Sequence, residues 1–172
     1  MAYASTKVKA ISTILSSEMQ ALGGDIRAVI ITDFEKTSAT TLVEGVMDDE
    51  AGGAVAAFRQ AVQCDNVDLL NPILMTGSTV LVDDDLAEEF LAAANNWIEE
   101  RSLAITLVDE IRGDYHEIVG KGKDWIPRYY SLMITEFFQL GITKCLIGTR
   151  GLLGEGWDCL LYTSDAADED LR

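Results

Sequence analysis

Two kinds of hydrophobic spacing alternate along this chain. From Ala4 to Leu22, apolar residues fall at Val8, Ile11, Ile14, Leu15, Met19 and Leu22, the spacing of one helix face. Ser5 or Thr6 supplies a cap for its start, and Gly23-Gly24 stops it. Arg27-Ala-Val-Ile-Ile-Thr32 is then a short unbroken apolar run, the kind a parallel sheet buries on both faces. Further on, the pattern predicts a helix over Gly52–Val62 and a buried strand over Pro72–Thr76, ended by Gly77. A helix over Asp83–Arg101 follows, its Asp83-Asp84-Asp85 start suiting the positive end of the helix dipole. Leu103–Ile111 and His116–Val119 read as shorter strands around Gly113-Asp114. Pro127 opens a helix to about Leu140, stopped by Gly141, and Lys144–Gly148 is the last apolar strand. Residues 36–50 read as a long surface loop.

Alternation of this kind predicts an α/β fold, a mostly parallel sheet with helices on both faces. The runs at 27–32, 73–76 and 144–148 should lie together in it, because continuous apolar strands need cover on both sides.

Composition narrows the class. At 172 residues, 48% hydrophobic and 24% charged, the chain reads as a single globular domain. No apolar run reaches the roughly 18 residues of a membrane span, and no charged-then-apolar leader opens the chain, so no membrane partner is expected. Cys64, Cys145 and Cys159 are far apart, with no CxxC or Cys/His spacing. Neither a disulfide framework nor a zinc site is indicated, and a reducing cytoplasm fits best. The net charge of −16 opposes nucleic-acid binding over the whole surface. Residues 112–150 are the exception, with six basic side chains against four acidic ones. That is compatible with contact on one face.

The last strand opens into Gly148-Thr149-Arg150-Gly151-Leu152-Leu153-Gly154-Glu155-Gly156-Trp157-Asp158. Glycine density of this order means positive φ angles or close approach of a ligand. The stretch resembles motif V of superfamily-two helicases, nucleic-acid-stimulated ATPases built from two RecA-like lobes, and motif V belongs to the second lobe. The resemblance implies that Gly148 and Thr149 hold a nucleic-acid phosphate, as amides and a hydroxyl suit phosphate oxygens. It implies that Gly156 and Asp158, the Gly-x-Asp of the motif, face ATP, a carboxylate accepting hydrogen bonds from ribose hydroxyls. Arg150 has no firm counterpart in the motif and stands beside them among the nucleic-acid candidates. The Glu-Gly-Trp-Asp ending is closer to restriction-type DNA translocases than to RNA helicases, which implies DNA in preference to RNA.

Other stretches follow the same resemblance. Arg27–Glu35 is similar to motif IV, the first strand of that lobe, with Thr32-Asp33 at the edge where open α/β sheets bind ligands. Thr76 and Gly77, at the end of the next strand, are further candidates for phosphate contact. Leu107-Val-Asp-Glu110 and Leu81-Val-Asp-Asp84 imitate the acid pairs that hold magnesium, but the chain has no GxxxxGK[ST] phosphate loop, and Gly120-Lys-Gly-Lys123 fails its spacing. The pairs therefore read as strand ends or helix caps, and no metal site is assigned. His116 has no evident triad partner and reads as a half-exposed strand residue. Trp125, Tyr129, Tyr130, Phe137 and Phe138 suggest base stacking, yet with Ile126, Met133 and Ile134 they make a helical core face more simply.

The combined expectation is a partial second RecA-like lobe over 1–158, truncated before motif VI, from an ATP-dependent helicase or translocase. ATP and magnesium belong to the intact parent with its first lobe. No cofactor and no ATP hydrolysis are expected of this chain alone. Residues 159–172 resemble translated sequencing-adapter read-through and are expected to be a non-native, poorly packed tail. The contrasting expectation is a small non-catalytic α/β interaction or regulatory domain.

Overall fold

The computed structural model describes residues 2–33 and 53–153. The expected surface loop at 36–50, Gly156, Asp158 and the tail at 159–172 lie outside them. Helix α1 runs Ala2–Leu22 and passes through one 3-10 turn, Gly23–Asp25, into strand β1, Ala28–Thr32. Helices α2 (Ala54–Val62) and α3 (Asp65–Asp68) precede β2 (Pro72–Met75) and β3 (Val80–Asp83). Helix α4 (Asp84–Glu100) leads to β4 (Thr106–Ile111) and β5 (Tyr115–Lys121), then α5 (Pro127–Leu140), β6 (Cys145–Thr149) and the single turn α6 (Arg150–Leu153).

The strands form one six-stranded sheet in the order β1-β6-β2-β3-β5-β4. β6 pairs in parallel with both β1 and β2, so the three apolar runs lie side by side as expected, β6 and β2 covered on both faces. The remaining pairs, β2–β3, β3–β5 and β4–β5, are antiparallel. Strands β1, β6, β2 and β5 consequently point one way, with β3 and β4 reversed, a mixed and mostly parallel α/β sheet.

Alternate residues feed two cores. On one face Ile73, Met75, Val80, Val82, Ile118 and Leu146 meet α4 and α5, with Phe90 edge to face against Phe137, 5.6 Å between ring centroids. On the other, Leu74, Leu81, Cys145 and Ile147 meet α2 and α1 through Phe58, Ala57 and Leu15. Helix α5 begins at Pro127 and ends at Gly141, whose φ of 82° is left-handed and returns amides to Phe137 and Phe138. Among the described residues, no helix is long and apolar enough to cross a membrane.

Three expectations need correction. β1 is an edge strand rather than one buried on both faces: Val29 is 37% and Ile31 52% exposed, because only the side bearing Ala28 is covered. The start of the expected Asp83 helix is split: Val80–Asp83 forms β3, and α4 begins at Asp84 with no loop between them. Ile126 precedes α5 and is 40% exposed, so it is not part of the core face that Tyr130, Met133, Ile134 and Phe137 do form.

Candidate functional site at the carboxyl edge of the sheet

Register places the sequence-derived candidates at one end of three adjacent strands. Thr149 is paired with Thr32, and Gly148 with both Ile31 and Met75. One residue beyond Met75 comes Thr76, then Gly77 at the turn into β3. Gly148, Thr149, Arg150, Thr76 and Gly77 thus share the carboxyl edge, with Thr32-Asp33 at its flank.

This edge also contains a change of direction in the chain. After β6 the chain enters α6, whose Leu153 joins the core beneath α4 and α5. Among the described residues, the next helix after β1, α2, packs on the opposite face. Neighbouring strands whose following helices lie on opposite faces leave a crevice at their carboxyl ends, the usual ligand position in open α/β sheets.

The individual side chains divide into committed and available groups. Thr76 is fully buried, and its Oγ1 accepts the amides of Ser78 (3.3 Å) and Thr79 (3.0 Å), fixing the β2–β3 turn. Its carbonyl accepts the Tyr130 hydroxyl at 2.6 Å. Gly148 is a packing requirement: a Cβ there would come within 2.7 Å of the Met75 carbonyl and against the Leu153 side chain. Gly77 has open space where a Cβ would stand, Thr149 is half-buried and Arg150 exposed.

The basic residues of 112–150 separate by position. Lys121 closes β5, Lys123 follows it, Arg128 lies in the first turn of α5 and Arg150 follows β6, all at the carboxyl edge, where Asp33 and Asp124 also lie. Arg112 and Lys144 sit at the opposite edge. Arg112 is held by Glu110 and Glu117, and Lys144 donates to the Gly24 carbonyl at 2.9 Å. Four of those six cations therefore gather where the motif does. His116 is half-buried on β5 with Nδ1 2.7 Å from Asp109 Oδ1 across the hairpin, far from that edge.

No family model, curated protein or solved structure matches the chain.

One constellation escaped the sequence reading. Asp83, expected as a strand end or cap, occupies the cap position of α4 yet makes no capping bond; it is fully buried instead. Its signal in the sequence was an acid directly after Val80-Leu81-Val82, but nothing there revealed that β3 would be an interior strand.

Proposed function

We propose that this chain is part of the second motor lobe of a superfamily-two ATP-dependent helicase or translocase, meeting nucleic acid at the carboxyl edge of its sheet. The observation that carries the reading is the position of the motif-V-like Gly148-Thr149-Arg150: it lies at the carboxyl end of the middle of three parallel strands, beside the end of β1, where open α/β sheets bind ligands. In this reading Thr149, Arg150 and the open turn at Gly77 meet the phosphates, and Lys121, Lys123 and Arg128 add attraction along the same edge. Gly148 lets β6, β2 and α6 approach closely enough to hold Thr149 in place. Thr76 acts through its turn, since its hydroxyl is already engaged. In the parent, Gly156 and Asp158 would face the ATP that is bound, with magnesium, between two lobes, whose relative movement on hydrolysis would drive translocation along the strand. The chain has no phosphate loop and does not hydrolyse ATP alone. DNA is the preferred track and the cytoplasm the setting.

The test is a fluorescence-anisotropy titration of labelled single-stranded DNA and RNA with the full chain at two salt concentrations. Weak, salt-sensitive binding is expected, stronger for DNA, and Thr149→Ala with Arg150→Ala should reduce it at least tenfold. Each lost charge-assisted contact is worth about 1.5–3 kcal/mol. In a complete homologous enzyme, the change equivalent to Thr149→Ala should uncouple nucleic-acid binding from ATP hydrolysis, and that at Asp158 should impair ATP use. Binding that ignores the double variant would remove the edge from the reading. A second reading, a non-catalytic α/β interaction domain, is favoured by the packing explanation for Gly148; it predicts no binding to either nucleic acid.

A further inference from the structure

At the end of the sheet opposite the motif, three carboxylates converge. Asp68 ends α3, just before β2; Asp83 ends β3; Asp85 lies in the first turn of α4. The antiparallel register, Ile73 with Val82, sets the start of β2 beside the end of β3 and so delivers Asp68 to Asp83. One oxygen from each of the three carboxylates lies within 4.8 Å of the others. The three differ in exposure: Asp85 is exposed, Asp68 half-buried, and Asp83 fully buried.

Acids at a helix start are ordinarily explained by the dipole, and that explanation covers Asp84 and Asp85. It does not cover Asp83. Neither of its oxygens accepts a hydrogen bond from an N–H or hydroxyl donor among the described residues, although Asp83 stands at the cap position of α4. The neighbouring Asp68 carboxyl can bond to it only by sharing a proton. Buried carboxylates are otherwise paired, hydrogen-bonded or bound to metal.

We propose that Asp68, Asp83 and Asp85 form a binding site for a divalent cation of the hard, oxygen-seeking class, calcium in preference to magnesium. Carboxylate oxygens alone suit calcium, magnesium or manganese and disfavour zinc. Calcium takes about six to eight oxygens in a flexible shell, which suits three carboxylates whose positions are set by α3, β3 and α4, whereas magnesium demands near-ideal octahedral geometry. The remaining positions are open to water on the Asp85 side. The ion would supply the counter-charge that Asp83 lacks, and would tie α3, β3 and α4 together at the amino edge. The site is independent of the helicase reading, because it lies at the other edge and involves none of its residues.

The experiment measures the thermal unfolding midpoint of the full chain with calcium, magnesium, manganese or EDTA, sodium chloride matching ionic strength. Calcium should raise the midpoint most. At a concentration about a hundred times Kd it increases the folding constant about a hundredfold. Asp85→Asn, at an exposed position that leaves the core intact, should abolish most of the response, and Asp83→Asn all of it. Calorimetric titration should give one ion per chain for the wild type and none for Asp83→Asn. A midpoint unmoved by any of the three cations, as when Asp68 and Asp83 share a proton instead, overturns the proposal. So does a response that survives both variants, which would be diffuse attraction to an acidic chain.

Discussion

The hydroxyl of Tyr130 donates to the carbonyl of Thr76 at 2.6 Å in the core, joining the first turn of α5 to the end of β2. Tyr130 is also in tilted contact with Trp125, 5.0 Å between ring centroids. Tyr130→Phe keeps the ring and strands the Thr76 carbonyl. The expected loss is about 1–3 kcal/mol, the cost of a buried acceptor without a partner. A urea titration checks it, and Trp125 fluorescence should change with it; unaltered stability would mean that water replaces the bond.

Gly148 and Thr149 are adjacent in the motif yet should respond differently to alanine. Gly148→Ala drives a methyl toward the Met75 carbonyl and Leu153, and should cost about 1–3 kcal/mol in the manner of an overpacked core. Thr149→Ala, at a half-buried strand end, should cost less than about 1 kcal/mol. Denaturant midpoints of the two variants separate packing from ligand contact. Equal losses would contradict the packing role of Gly148.

Asp83 makes stability depend on pH. Burial first, then the charge of Asp68 and a hydrogen bond with its carboxyl, then the charges of Asp84 and Asp85, push its carboxyl up from an ordinary 3.8 to about 8 in the folded protein. Between those values the folded state holds a proton that the unfolded chain has released. Stability is therefore full below about pH 4 as far as this group is concerned, and falls as pH rises toward 8. In EDTA, the urea midpoint should decline from pH 5 to pH 8, and Asp83→Asn should flatten that decline. A wild-type midpoint that climbs over this range would show that Asp83 is charged and compensated.

Cys145 should be inert in the native protein. It is fully buried between β1 and β2, and burial pushes its thiol up to about 12, so thiolate is scarce at neutral pH. Iodoacetamide labelling followed by peptide mapping should leave Cys145 unmodified until denaturant is added, while half-buried Cys64 reacts sooner.

The sequence made the middle of the sheet legible because β2 and β6 are covered on both faces, and such strands have no polar residue to break their apolar run. The same rule misread β1, whose Val29 and Ile31 look interior in sequence and are exposed in the fold. Edge position is a property of the whole sheet, not of five residues. β3 was obscured differently: four residues running without a loop into α4 leave too short a pattern to separate from a helix start. At the site, strand ends predicted where Thr149, Thr76 and Gly77 gather. What sequence could not separate was glycine needed for packing from glycine needed for a ligand, a distinction that rests on Leu153 and Met75 across the gap at Gly148.

The strand order has a consequence for how this chain reaches its native state. Among the described residues β1 pairs only with β6, so Ala28 waits for Cys145, and β1 and β2 flank a vacant slot until β6 is made. Helices α4 and α5 and the β4–β5 hairpin can form from local contacts, but closure of the parallel half requires a contact across most of the chain. Folding should accordingly be slow for a domain of this size and set by a late, non-local step. During synthesis, β2 and β3 can pair as soon as both are made, but β1 should stay out of the sheet until residues 145–149 have left the ribosome.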